Sequence, residues 1–339
     1  MTGSTSPPTG TVRIAPSASI PRVLEHLGFE PAATLAEMGF DIQLFENPEN
    51  VIPYTSRSKL LEQCADKTGC RHFGHLVGRS TLPSSFGITG FLIQQSPDVA
   101  TALRAFVRYL HLHVEGARTY LEEGEKSTFM GYSITESGNA ATEQIADGGV
   151  TAIFNMLKQL CGTTWFPKKV CFAHSKPENT RPFNQYFNAP LFFSAGQNGV
   201  SFSSAWLSKP VMGADPGLHL LLQNQIELLE SHHSNDFPEQ VRRVIHSALL
   251  AHRANVDYVA SLFSMRQRTL NRRLRDSGTC FRELLDESRL DIAQQLLRNS
   301  SLSVSDIAAM LDYCDSSTFA RAFRRQSGQA PSDWREQSV

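Results

Sequence analysis

Two arginine-bearing stretches near the C-terminus hold the residues best suited to chemistry in this sequence. From Arg266 to Arg275 there are five arginines and no acid. At about 100° per residue, Arg268, Asn271, Arg272 and Arg275 share one face while Leu270 and Leu274 share the opposite one. Further on, Ser317, Arg321, Arg324 and Arg325 fall opposite Phe319 and Phe323. A guanidinium presents a planar fork of donors that matches a guanine edge or a phosphate. The chemistry on offer is recognition: an apolar back docks each helix on its own domain, and a cationic front reaches a nucleic-acid groove. Either face taken singly could equally be an ordinary solvated surface.

The elements that must position these faces are legible on either side. Ile307, Ala308 and Leu311 give a short helix one apolar face, Asp312-Tyr313-Cys314 reads as a turn, and Asp315 is placed to cap the helix that follows. Val256 to Leu262, a turn at Phe263-Ser264-Met265 and a helix from Gln267 to Asp276 repeat that plan upstream. Pro238 to His252 carries an apolar face of Val241, Val244, Ile245, Ala248 and Leu249. A long helix from Phe281 to Arg298 links the two helix-turn-helix units.

Together, Ser303 to Arg335, Val256 to Asp276 and the linking helix resemble the C-terminal signature of the AraC/XylS family of bacterial transcription regulators. A lone helix-turn-helix pattern would be weak; two, with this linker and the Gly-x-x-Pro ending at Pro331, are specific. The resemblance implies that Arg268, Asn271 and Arg272, then Ser316, Ser317 and Arg321, face base edges. Gln267, Arg275, Arg324 and Arg325 complete the expected DNA-contacting set, the last two on phosphates. Long-helix spacing would set the recognition helices about 34 Å apart, one turn of duplex. Three positions depart from the family pattern. Ser264 and Asp312 stand where its turns carry Gly, and Arg266 occupies the usual Ser cap, so the first motif is expected to be the less stable reader.

Composition agrees with this division. From Phe237 onward there are 15 Arg, no Lys and 12 acids, a net +3, whereas the first 236 residues carry 17 bases and 21 acids, a net −4. At 339 residues and 41% hydrophobic, the chain can bury two ordinary cores. The start, MTGSTSPPTGTVR, has no apolar signal region and reads as a disordered arm over residues 1–15. No run is long and apolar enough for a membrane span. The six cysteines are scattered with no C-x-x-C, which fits a reducing cytoplasmic interior.

Residues 16–231 read as an α+β domain, followed by a linker at 232–238 and an all-α domain at 239–339. Helical spacing covers 19–38, Tyr54 to Thr68, His72 to Val77, Asp98 to His113 and Thr142 to Leu160. Alternation predicts a hairpin of Ala117–Glu123 with Thr128–Thr135 around Gly124. Lys169 to Ala173 is strand-like, Phe183 to Phe187 a short helix, and Leu191–Phe193 with Val200–Phe202 a second hairpin. Phe-Pro-x-x-Val-x-Phe-x-His at Phe166 to His174, Phe187-x-Ala-Pro190 and Trp206-Leu-x-x-Pro210 make this segment similar to the arabinose-binding-like N-terminal domain of one AraC-type subgroup. That implies a small-molecule effector without naming a sugar, and the alternation of helices and hairpins argues against a cupin-like barrel. Asp215 to Ser231 is an amphipathic helix that either packs on its own domain or pairs with a second copy.

Other constellations are thin. His72 with His75, and His111 with His113, lack the further ligands a metal needs; Cys64 and Cys70 have no visible activating charge; the glycines from Gly69 to Gly90 form no phosphate loop. No nucleophile has a plausible base, and no cofactor is implied. The expectation is a DNA-binding regulator, effector-responsive, most often an activator, with promoter DNA, a small effector, RNA polymerase and a second copy as partners. A ligand-independent regulator and a small-molecule enzyme fused to a DNA-binding tail are the alternatives.

Overall fold

The computed structural model describes residues 10–135, 142–233, 237–263, 265–299 and 302–336. The chain divides into two compact units, Met1–Ile226 and Glu227–Val339.

In the first unit, β1 (Thr11–Arg13) pairs antiparallel with β2 (Val51–Pro53). This corrects the disordered arm expected over 1–15: Val12 and Ile14 are almost wholly buried, and two inward apolar residues outweigh the polar composition. Residues 1–9 lie outside the described residues. The helical spacing over 19–38 resolves into α1 (Ile20–His26) and α2 (Pro31–Glu37), separated where Gly28 takes φ 86 and Pro31 must open a new helix. Then come α3 (Tyr54–Thr68), stopped by left-handed Gly69, α4 (Phe73–Arg79) and α5 (Gly87–Gln94). Next is α6 (Val99–Tyr109), which gives way to a 3-10 turn before His113.

The expected first hairpin is present as β3 (Ala117–Glu123) and β4 (Ser127–Ile134). After α7 (Glu143–Cys161) come β5 (Lys169–Cys171), α8 (Arg181–Phe187), β6 (Leu191–Phe192) and β7 (Asn198–Ser203). The sheet order is β3-β4-β7-β5-β6. The second hairpin is therefore absent: β6 lies parallel to β5, and β7 pairs with β4 and β5 instead. The Gly196–Gly199 spacing looks like a hairpin loop, but β5 takes the position between the two strands. The open sheet is not a barrel.

Helix α7 is buried nearly all round and meets α4 along glycine. A Cβ on Gly74 would overlap the Gln144 carbonyl, and one on Gly78 would stand 2.6 Å from the Gly148 carbonyl oxygen. Bare backbone is what lets these two helices approach so closely.

Helix α9 (Pro216–His233) runs further than the linker predicted at 232–238, and α10 (Phe237–Leu250) begins one residue before the expected proline. Residues 234–236 lie outside the described residues. Of the apolar α9 residues, Ile226 is buried against Leu92 and Tyr109, with Leu222 beside them. Leu218, Leu220, Leu221, Leu228 and Leu229 are exposed.

The second unit is helical throughout its described residues. Helices α10, α11 (Val256–Leu262), α12 (Gln267–Asp276) and α13 (Phe281–Asn299) are followed by α14 (Val304–Met310), α15 (Ser316–Ser327) and α16 (Pro331–Glu336). Their apolar faces close one core that includes Val241, Ile245, Leu270, Leu274, Ile307, Phe319 and Phe323.

Candidate nucleic-acid interface and an internal cavity

Helix α12 presents its faces as its wheel requires. Leu270 and Leu274 are fully buried; Gln267, Arg268, Arg272 and Arg275 are exposed and Asn271 is half-buried. Arg273 leaves that polar face and lies over the Phe237 ring at 5.0 Å, a packing cation. The Arg266 side chain makes no cap hydrogen bond. Ser264, expected in the preceding turn, is outside the described residues.

Helix α15 repeats the arrangement. Phe319 and Phe323 are buried, Ser317, Arg321, Arg324 and Arg325 are exposed, and Ser316 is half-buried at the first turn. The Asp315 carboxylate accepts the Thr318 amide at 2.7 Å. That bond, with further ones from the Cys314 and Thr318 side chains, holds its pKa down at about 2. Upstream, Ser303 and Asp306 form a reciprocal capping box on α14.

The structure thus sorts the arginines of this unit. Arg289 donates to the Leu311 carbonyl and lies over Tyr313, Arg335 donates to the Leu297 and Leu302 carbonyls, and Arg242 pairs with Glu239. The first two tie separate elements together, whereas the Arg242–Glu239 pair lies within α10. Among the described residues, Arg321 hydrogen-bonds only to the neighbouring Thr318 hydroxyl, at 3.3 Å. Arg268, Arg272, Arg275, Arg324 and Arg325 make no hydrogen bond or ion pair among the described residues. Cations kept away from internal carboxylates remain available to phosphates and base edges.

The first unit holds a cavity that the sequence does not reveal. It admits water-sized spheres over about 40 Å³ and is walled by α3, α4, α6, α7, β3 and β4. Its polar groups include Arg57, Thr119 and Tyr132. Arg57 Nε donates to Ser17 Oγ at 2.8 Å, and Tyr132 Oη lies 3.2 Å from Tyr54 Oη. Gly74, Gly78, Gly148 and Gly149 contribute bare backbone to the wall. Nothing in the local pattern of α3 singles out Arg57, because only tertiary packing buries it.

The remaining titratable groups read as structural. Burial pushes the Cys64 thiol up to about 12 and raises that of Cys70, opposite to what a reactive thiolate requires. His75 Nδ1 lies 2.8 Å from Thr151 Oγ1, and burial drives its pKa down to about 3. Burial likewise takes His113 down to about 4. Half-buried His174 holds the Asp147 carboxylate at 2.9 Å, and that contact raises the histidine pKa against its desolvation. Among the described residues no three His, Cys, Asp or Glu side chains converge on a metal-sized point.

Residues 28–211 match the model of the arabinose-binding domain of AraC transcription regulators, N-terminal. The chain belongs to the AraC family. Residues 259–337 of this AraC-family chain also match a helix-turn-helix domain model. Over 306 residues it is 24% identical to the ornithine utilization regulator of Pseudomonas aeruginosa, covering 87% of each chain. It is 21% identical over 315 residues to the HTH-type transcriptional regulator VirS of Mycobacterium tuberculosis, 92% of this chain and 93% of that one. Among solved structures, the regulator CdpR of Pseudomonas aeruginosa aligns over 95% of this chain and 98% of its own, at 21% identity and a TM-score of 0.48. The AraC-family chain is a DNA-binding transcription regulator, and none of its described helices is long and apolar enough to cross a membrane.

Proposed function

We propose that this regulator reads promoter DNA through α12 and α15, placed in successive major grooves about 34 Å apart on one face of the duplex. Base edges meet Arg268, Asn271, Arg272, Ser316, Ser317 and Arg321, while Gln267, Arg275, Arg324 and Arg325 add backbone contacts. The carrying observation is the sorting of arginines: those on the outer faces of both helices lack acidic partners among the described residues, whereas others bond carbonyls or stack on rings. The first unit takes a small effector in its cavity, and the exposed leucines of α9 pair with those of a second copy. Effector binding shifts the population toward the arrangement that contacts RNA polymerase productively. The protein acts by binding and performs no catalysis.

The test is footprinting of the full-length chain on operators selected from random DNA. Two protected segments one helical turn apart, both on one face, are expected. A single protected segment that survives Arg321→Ala unchanged would reduce the reading to one motif.

A further inference from the structure

Arg57 is 6% exposed and lines the cavity of the first unit. Its single hydrogen bond among the described residues is Nε to Ser17 Oγ at 2.8 Å, and it forms no ion pair there. A buried lysine can shed its proton, but a guanidinium stays charged at any accessible pH. A cation buried without a counter-ion is costly to the fold, and this one borders a cavity. The hydroxyl of Thr119, also on the cavity wall and 1% exposed, has no hydrogen-bond partner among the described residues. A guanidinium with donors beyond its one bond and an unpartnered hydroxyl thus share one cavity.

We propose that this cavity binds a small monocarboxylic acid, with Arg57 as its counter-ion and the Thr119 hydroxyl as a second donor. The inference rests on the reading of the cavity as the effector site. A carboxylate is the anion whose two oxygens match the guanidinium fork. The rest of the wall favours a hydrocarbon remainder: Val77, Phe86, Phe106, Leu110 and Ile153 line it. No Asp or Glu lines it, so the ammonium of an amino acid or an amine would be buried beside a cation with nothing to pair it. A phosphate dianion would bring one charge more than Arg57 neutralises. At roughly 10–15 Å³ per water, the space of about 40 Å³ has room for about three waters, which suits a short straight chain better than a long or branched one.

The experiment is isothermal titration and thermal unfolding of the full-length protein with straight-chain carboxylates from acetate to octanoate. Each is compared with its primary amide, alcohol and amine. The expected result is saturable binding by a short carboxylate, at least ten-fold tighter than its amide or alcohol, with the amine inert. Arg57→Met should unfold at a higher temperature than wild type without ligand and lose the carboxylate preference; Arg57→Lys should retain part of it. If amide and alcohol bind as well as the acid in wild type and Arg57→Met alike, the carboxylate assignment falls while the cavity stands as a ligand site. If no compound of any class binds, both fall. Should Arg57→Met not fold, the acid-against-amide comparison in wild type and Arg57→Lys still decides.

Discussion

His252 and Asp312, sixty residues apart, both adopt left-handed backbone, at φ 51 and φ 57, and are joined by a 2.8 Å hydrogen bond from His252 Nδ1 to the Asp312 carboxylate. His252 follows α10, and Asp312 sits in the turn between α14 and α15. Each conformation costs a residue with a Cβ roughly 1–2 kcal/mol. The bond couples the two turns, so that neither relaxes without breaking a contact to the other.

That coupling gives the first prediction. Asp312→Ala keeps the backbone penalty and loses the bond, and should destabilise the second unit by about 0.5–1 kcal/mol. Asp312→Gly loses the bond but relieves the backbone, and should fall within about 0.5 kcal/mol of wild type. Urea unfolding of both variants measures the difference.

The missing cap on α12 gives the second. Arg266→Ser should supply a hydroxyl to an orphan amide of the first turn and stabilise that helix by about 1 kcal/mol. In the wild-type free protein, amides of α12 should exchange with solvent faster than those of α15, whose first turn Asp315 already caps. Equal protection of the two helices would remove the idea that the first motif is the weaker reader.

The sorting of arginines separates three kinds of variant. Arg321→Ala should weaken operator binding by about 1–3 kcal/mol and relax preference at one base. Arg324→Ala should weaken binding uniformly across sequences and lower the salt slope by about one. Arg273→Ala, which removes the cation from Phe237, should cost about 0.5–1 kcal/mol of stability while leaving DNA affinity near wild type. Titrations at several salt concentrations distinguish the three.

The buried histidines set an acid limit. With Nδ1 of His75 donating to Thr151, Nε2 has no partner, so protonation would bury an unpaired N–H. The folded pKa values of His75 and His113, about 3 and about 4, lie below the unfolded value of about 6.5. Between them the unfolded chain binds more protons, so stability falls on acidification from about pH 6.5. At pH 5.5 each histidine should have removed about 1.2 kcal/mol relative to neutral pH. His75→Gln should flatten this dependence in urea titrations across pH.

Much of the second unit was legible because its signals are local. The burial of Leu270, Leu274, Phe319 and Phe323 follows from spacing alone, and Asp315 caps α15 where its residue type says it should. In the first unit, the β3–β4 hairpin was legible from alternation around Gly124. The parallel placement of β6 was not, because strand order is decided by which strand occupies the middle and no window of sequence carries that. Arg57 was invisible as a site residue for a related reason: on the helix spanning Tyr54–Thr68 it looks like any surface arginine, and only packing from distant segments encloses it. The glycines from Gly69 to Gly90, which form no phosphate-loop motif, left no hint that two of them are points of helix contact.

Those contacts shape how the cavity can respond to filling. Side chains between helices act as cushions, absorbing small displacements by changing rotamer. Along the seam with α7, Gly74 and Gly78 offer no side chain on the α4 side to turn. For an occupant of the kind proposed, a slightly oversized fit would press backbone on backbone there, so α4 and α7 are expected to shift together. Such a seam would pass a fraction of an ångström of size on to whole helices.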